Sequence, residues 1–394
     1  MFSGRTPKIH STNRLARALA ERIAPPLDLT VSNPTAVGLD VPGDPLAPLA
    51  GARGRVYVPE PTGILTARKA VAEYYARRGV AADPSRIVLT ASSSEAYGWL
   101  FKLFCDPGDT VLLPAPSYPL LDALAGLESV HVGRYPLDPE GGWTFHSANV
   151  EREIERLAAS GRRVGAVVLV SPNNPTGSGV SQGELLSLFA AARRHGFAIV
   201  SDEVFLDYRF SVGPGDVPVA AERAGDGGAL VVSLGGLSKS AALPQLKLGW
   251  MLIGGPDDLV REALSRLDWI ADTYLSVGTP VQLALPELLP WGDTAAAAIR
   301  ERVRANHAAL VRVFPPGAPA MAEPLKGGWS AVLRVPAVEA EEDLVLRLLS
   351  DHDLLVHPGY FFDFPSEAFL VLSLLPQPDL FAEGVARISR ALAR

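Results

Sequence analysis

Lysine is scarce in this chain of 394 residues. Six are present, Lys8, Lys69, Lys102, Lys239, Lys247 and Lys326, against 30 arginines. Cysteine is scarcer: Cys105 stands alone, so no internal disulfide can form. It lies in the apolar run WLFKLFC and reads as a packed thiol rather than a reactive one. The seven histidines are scattered, with no pair at ligand spacing, which argues against a metal site. No apolar run approaches the roughly 20 residues of a membrane helix. The first 26 residues carry Arg, Lys and Glu without an apolar core segment, so they do not read as a signal peptide. Nor is positive charge in excess: a net charge of −7 argues against nucleic acid or an anionic membrane as the main partner. These absences leave a cytoplasmic enzyme acting on small molecules as the expectation.

What is present begins with one of the six lysines. Lys239 follows the apolar run Ala229–Leu234, which reads as a buried strand ended by Gly235 and Gly236. A loop through Pro244 then leads to a second strand from Leu246 into Gly254. In a chain where Arg is the default cation, a lysine between two core strands asks for a reason. A primary amine forms an imine with a carbonyl, which a guanidinium does not. A solvated loop charge is the bland alternative.

The length calls for two domains. A long Pro- and Gly-rich arm covers residues 33–54, and YVPEPTG at 57–63 is a turn leading into a helix over Thr66–Arg78. Strands and helices then alternate. The strands are Arg86–Thr90, Thr110–Leu113, Val130–Tyr135, Arg163–Val170 and Phe197–Ser201. Helices are expected over Ser93–Phe104, Pro119–Leu127, Val150–Ala159 and Ser181–His195, the last with a capping-box pattern from Ser181 to Glu184. Apolar strands separated by helices predict a mostly parallel sheet covered on both faces, with ligands at the carboxyl ends of the strands. Beyond Gly254 the pattern changes to helices over Asp257–Ala271, Val281–Leu289 and Thr294–Phe314. A small α+β unit with strands at Trp329–Val335, Leu354–His357 and Phe369–Leu374 follows. The fold class is therefore α/β, with a three-layer α/β/α large domain over 52–275. A smaller α+β domain is built from 276–394 and the arm over 1–51.

Several side chains fall just after the expected strands. Ser92, Ser93 and Ser94 open a helix, and backbone N–H groups at a helix N-terminus make an anion site, although a plain N-cap reads the same way. Tyr118, in PAPSYP, is a rigidly placed aromatic able to stack on a flat ring, or a packed loop residue. Asn173 and Asn174 sit in SPNNPTG. Asp202, in SDEVF, is a carboxylate at a core strand end and needs a partner. An amine, an anion site, a stacking aromatic and an isolated carboxylate on one rim match pyridoxal phosphate. Its aldehyde takes the lysine, its phosphate the helix end, its ring the aromatic, and its pyridine nitrogen the acid.

From about Asn33 to about Ser373 the chain resembles the class I/II aminotransferases, the fold-type I pyridoxal-phosphate enzymes. The motifs fall in family order: Tyr57, Gly63 and Arg68, then PGD at 107–109, PSYP at 116–119, NNPTG at 173–177, SDEV at 201–204, SK at 238–239 and LGW at 248–250. The resemblance implies that Lys239 holds the cofactor covalently and shuttles the substrate proton. By the same resemblance Asp202 partners the pyridine nitrogen, Asn174 donates to the ring's 3-oxygen, and Tyr118 stacks on the ring. Ser93, Ser94 and Lys247 then hold the phosphate. Tyr57 reaches a phosphate across a dimer interface, which implies a homodimer with shared sites. A small-molecule amino donor and a keto-acid acceptor are the implied partners, with no metal.

The chain departs from the family at four places. Phe205 stands where a Tyr usually donates to the 3-oxygen, with Tyr208 as a possible substitute. Gly236 stands for a phosphate-binding Ser, and Lys247 for an Arg, which keeps the charge but not the bidentate fork. Val371 replaces the Arg that grips the substrate α-carboxylate, with Arg209 and Arg334 as alternative cations. The sequence therefore predicts an aminotransferase with an unusual amino donor. A lyase or decarboxylase on the same fold is the alternative, and a ligand-binding protein without turnover is a third reading.

Overall fold

The computed structural model describes residues 1–6, 13–57, 59–210, 215, 217 and 219–393. Val58, within the YVPEPTG turn, lies outside the described residues. The strands in chain order are β1 (Leu27–Asp28), β2 (Ile87–Thr90), β3 (Thr110–Ala115), β4 (His131–Pro136), β5 (Val164–Val170), β6 (Ala198–Asp202) and β7 (Val231–Gly236). They continue with β8 (Gly249–Gly254), β9 (Met321–Ala322), β10 (Ser330–Arg334), β11 (Leu354–Leu355), β12 (His357–Pro358) and β13 (Phe369–Ser373).

Seven strands form the main sheet in the order β2-β8-β7-β6-β5-β3-β4. Only β8 runs against its neighbours, pairing antiparallel with both β2 and β7. The apolar runs alternate across this sheet. Val111, Val168, Val200 and Val232 pack into one core with the helices Ser93–Phe104 and Asp257–Tyr274. Leu112, Val167, Ile199 and Val231 pack into another with the helices Leu65–Ala76 and Gln182–His195. Covering both faces lets every strand residue be apolar.

A second sheet, β12-β13-β10-β9, is antiparallel, and β1 pairs in parallel with β11. The N-terminal arm is thus tied to the C-terminal region, and Ser373 reinforces the tie by donating its backbone N–H to the Leu29 carbonyl.

Three expectations need correction. The two helices expected at Val281–Leu289 and Thr294–Phe314 are one helix, Thr279–Val313, with Pro286 and Pro290 inside it. Proline removes a helical donor and strains its turn, which is why the sequence suggests a break. The helix continues because it is buried along its length, from Leu285 and Leu288 through Ala295 and Ile299 to Val303 and Leu310. Gly235 and Gly236 do not end the strand before Lys239; they belong to β7, and a Cβ on Gly235 would meet the Trp250 indole at 2.4 Å. Lys239 itself stands in a single helical turn, Leu237–Ser240, rather than an open loop.

Candidate active site

The carboxyl ends of β2, β3, β5, β6 and β7 carry the side chains singled out in the sequence, and the glycines bring them close. Gly249 opens β8 directly beneath the helix Ser93–Phe104. A Cβ there would meet the Ser92 carbonyl carbon at 3.1 Å and the Ser93 nitrogen at 3.2 Å. Ser92 is the N-cap, its hydroxyl accepting from the Glu95 N–H at 3.1 Å, while Glu95 turns back to the Ala91 N–H at 2.6 Å. The first-turn amides of Ser93 and Ser94 have no intrahelical acceptor, as at any helix start.

Lys239 is half-buried, with Nζ 4.6 Å from the ring centroid of Trp329 and 5.5 Å from that of Phe205. Burial draws its amine down to about 8, against the opposing pull of the Asp202 carboxylate. Its turn is braced from two sides. The Tyr208 hydroxyl donates to the Lys239 carbonyl at 2.6 Å, and the long helix passes so close that a Cβ on Gly292 would meet Ala241 Cβ at 2.5 Å.

Asp202 ends β6. Its Oδ2 accepts from the Tyr97 hydroxyl at 2.9 Å and its Oδ1 from the Val204 N–H at 3.1 Å. Burial raises its pKa, while these two donors and Lys239 resist the rise. Asn174 follows β5, and its Oδ1 accepts from the Ser330 hydroxyl at 3.3 Å. That contact joins the second sheet to the rim. Asn173 is turned inward, accepting from the Thr176 hydroxyl at 2.9 Å.

The structure thus gathers Lys239, Asp202, Asn174, Ser93 and Ser94. Three other residues stay at the exposed rim. Tyr118 is 48% exposed, and Ser117 beside it donates its N–H to the Phe362 carbonyl at 2.8 Å. Tyr57 is 68% exposed and lines a cleft with Leu275 and Ser276. Lys247 is exposed in a left-handed backbone conformation, φ +50°.

Tyr208, the candidate to replace the missing Tyr at 205, has its proton committed to the Lys239 carbonyl. Val371 lies in β13, opposite Val332 on one side and His357 on the other, and is 1% exposed. Arg334 is committed to the buried Glu323, Nε to Oε1 at 2.6 Å. Sequence reasoning missed Tyr97 and Trp329. The only signal for Tyr97 was its place one turn into the helix that Ser93 opens. No group of three His, Cys, Asp or Glu able to hold a metal occurs among the described residues. No described helix is long and apolar enough to cross a membrane.

The family model described as aminotransferase class I and II matches residues 49–379. A glutamate-pyruvate aminotransferase, AlaA of Haemophilus influenzae, is 26% identical over 390 residues, covering 93% of this chain and 90% of that protein. An S-alkyl-thiohydroximate lyase of Arabidopsis thaliana is 29% identical over 266 residues, 67% of this chain and 55% of that one. The solved structure of an alanine aminotransferase from Pyrococcus furiosus superposes with a TM-score of 0.85 at 21% identity, covering 96% of this chain and 95% of that one, which shows the shared fold. The chain belongs to the class I and II aminotransferase family, is an α/β fold-type I enzyme, and acts as an aminotransferase.

Proposed function

We propose that this aminotransferase carries pyridoxal 5'-phosphate on Lys239 and accepts an amino donor that is not held through the family's arginine–carboxylate contact. The donor set fits the cofactor. The first-turn amides of Ser93 and Ser94, free at the helix start, suit the phosphate, with Lys247 supplying charge at its edge. Asp202, backed by Tyr97 and Val204, is a half-buried carboxylate able to hold a protonated pyridine nitrogen. Asn174 would donate to the ring oxygen through its amide nitrogen, and Tyr118, half exposed, would stack on the ring. When bound, the cofactor supplies an electron sink. An amine near pH 8 both takes and returns a proton at Nζ close to neutrality, as the proton shuttle requires.

One observation carries the reading of the donor: Val371, flanked by Val332 and His357, stands where the family's arginine is expected. A charge-assisted pair there is worth a few kcal/mol, or about two orders of magnitude in affinity. We further propose a homodimer in which Tyr57 of one copy serves the other's phosphate, and a cytoplasmic location. The proposed division is 1–51 with 276–394 as the small domain and 52–275 as the large one. The β1–β11 pairing supports joining the two ends of the chain.

The test is a single-turnover panel of L-alanine, L-glutamate, L-aspartate and carboxylate-free amines, read by cofactor absorbance. Wild type should convert the α-amino acids poorly, and Val371→Arg should improve them. Fast conversion by wild type, with impairment in the variant, would return the enzyme to ordinary α-amino acids. The lyase among the relatives motivates elimination as a second reading; it predicts loss of keto-acid-dependent formation of the aminated cofactor.

A further inference from the structure

Phe205 leaves a gap in the donor set, and the proton of Tyr208 is committed to the Lys239 carbonyl. Beside Phe205 stands Trp329, only 3% exposed. Its seat is fixed from several directions. The Trp329 carbonyl accepts from the Leu374 N–H at 2.7 Å, and the Gly328 N–H donates to the Tyr208 carbonyl at 3.1 Å. A Cβ on Gly327 would meet the Tyr208 carbonyl oxygen at 2.8 Å, so the chain approaches there as closely as glycine allows. The indole packs edge-on against Tyr208, centroids 4.9 Å apart, and against Phe205 at 5.5 Å.

Trp329 also reaches Lys239 directly and Asn174 through the next residue. Its ring lies 4.6 Å from Lys239 Nζ, and the next residue, Ser330, bonds to Asn174. Its indole N–H is buried without an acceptor among the described residues. Burying a donor unpaired is costly, and such a group in a native site calls for a partner. Trp99 and Trp143 are also buried without acceptors, but their rings pack on Tyr274 and Phe364 rather than on the lysine.

We propose that the Trp329 indole N–H is the hydrogen-bond donor to the ring oxygen that pyridoxal phosphate carries beside Lys239, taking the role that Phe205 cannot. This rests on the reading of the site as a pyridoxal-phosphate site. A donor to that oxygen competes for the lone pairs that hold the proton shared with Lys239 Nζ. Removing the donor therefore holds the proton more tightly and raises the pH at which the bound chromophore titrates.

The experiment uses full-length protein labelled with 15N-tryptophan. Its six indole signals are recorded before and after pyridoxal phosphate is added to the apoenzyme, and the Trp329 signal is assigned by its loss in Trp329→Phe. That signal should move downfield on cofactor binding. The chromophore of Trp329→Phe should titrate about 1 pH unit higher than wild type, the scale of one hydrogen bond to a charged oxygen. Adding Phe205→Tyr to Trp329→Phe should bring it back down. Colour that develops with an unmoved Trp329 signal and an unchanged titration overturns this proposal alone. A signal that moves only when an amino donor follows the cofactor also overturns it, by giving the N–H to substrate. No colour at all overturns both this proposal and the cofactor reading beneath it.

Discussion

The amine of Lys239 sits under two opposed influences. Burial pushes it down to about 8 and the Asp202 carboxylate pulls it back up. Competitive labelling of the apoenzyme with an amine-directed reagent should therefore give Lys239 a midpoint near pH 8, below an ordinary lysine. Asp202→Asn should lower that midpoint further, because it removes the charge that favours the proton. An unchanged or higher midpoint would contradict the pairing. At this scale Lys239 and Asp202 were legible in the sequence, since each is a charged residue at the end of an apolar run. Tyr97 and Trp329 were not. An aromatic at helical spacing, or just before a strand, reads as core, and both are buried. Their roles arise from contacts with Asp202 and Lys239 across long stretches of chain, which no local pattern encodes.

The turn Leu237–Ser240 is held by elements rather than by its own length, since four residues make a weak helix. The helix Thr279–Val313 presses Gly292 against Ala241, and Tyr208 bonds the Lys239 carbonyl. Gly292→Ala should gain roughly 1 kcal/mol of helix propensity. It should lose about 1–3 kcal/mol to overpacking, because the new methyl meets Cβ and backbone rather than a flexible tip. Overpacking wins, so the urea midpoint should fall. A rise would mean that the helix shifts freely over the turn. Tyr208→Phe leaves a carbonyl without its donor and should cost about 1–3 kcal/mol in the same measurement; no loss would show that the bond is not structural. The alternating strands and helices were readable from apolar runs and turn residues. The single long helix was not, because Pro286 and Pro290 mark a break locally that burial on both sides overrides.

Across the whole molecule, several large apolar side chains are exposed. Val56, Tyr57, Trp269 and Leu275 are 65%, 68%, 73% and 65% exposed, and Tyr57 and Leu275 line the same cleft. Exposed apolar side chains of this kind suit a second copy of the chain. Sedimentation velocity should show a dimer, and Trp269→Asp with Leu275→Asp should shift it toward monomer and loosen the bound cofactor. A wild-type monomer that retains cofactor would remove Tyr57 from the proposed site. At this scale the sequence showed the order of the elements. It did not show that β1 pairs with β11, because a two-residue strand carries no periodicity of its own. On the proposed reading, the rim of the seven-stranded sheet presents Lys239 to the cofactor. Borohydride reduction of the holoenzyme followed by peptide mass mapping tests it most directly. The cofactor mass should appear on the peptide containing Lys239 in wild type and be absent from Lys239→Ala. Its appearance on another lysine, or a Lys239→Ala variant that transfers amino groups normally, would contradict the account.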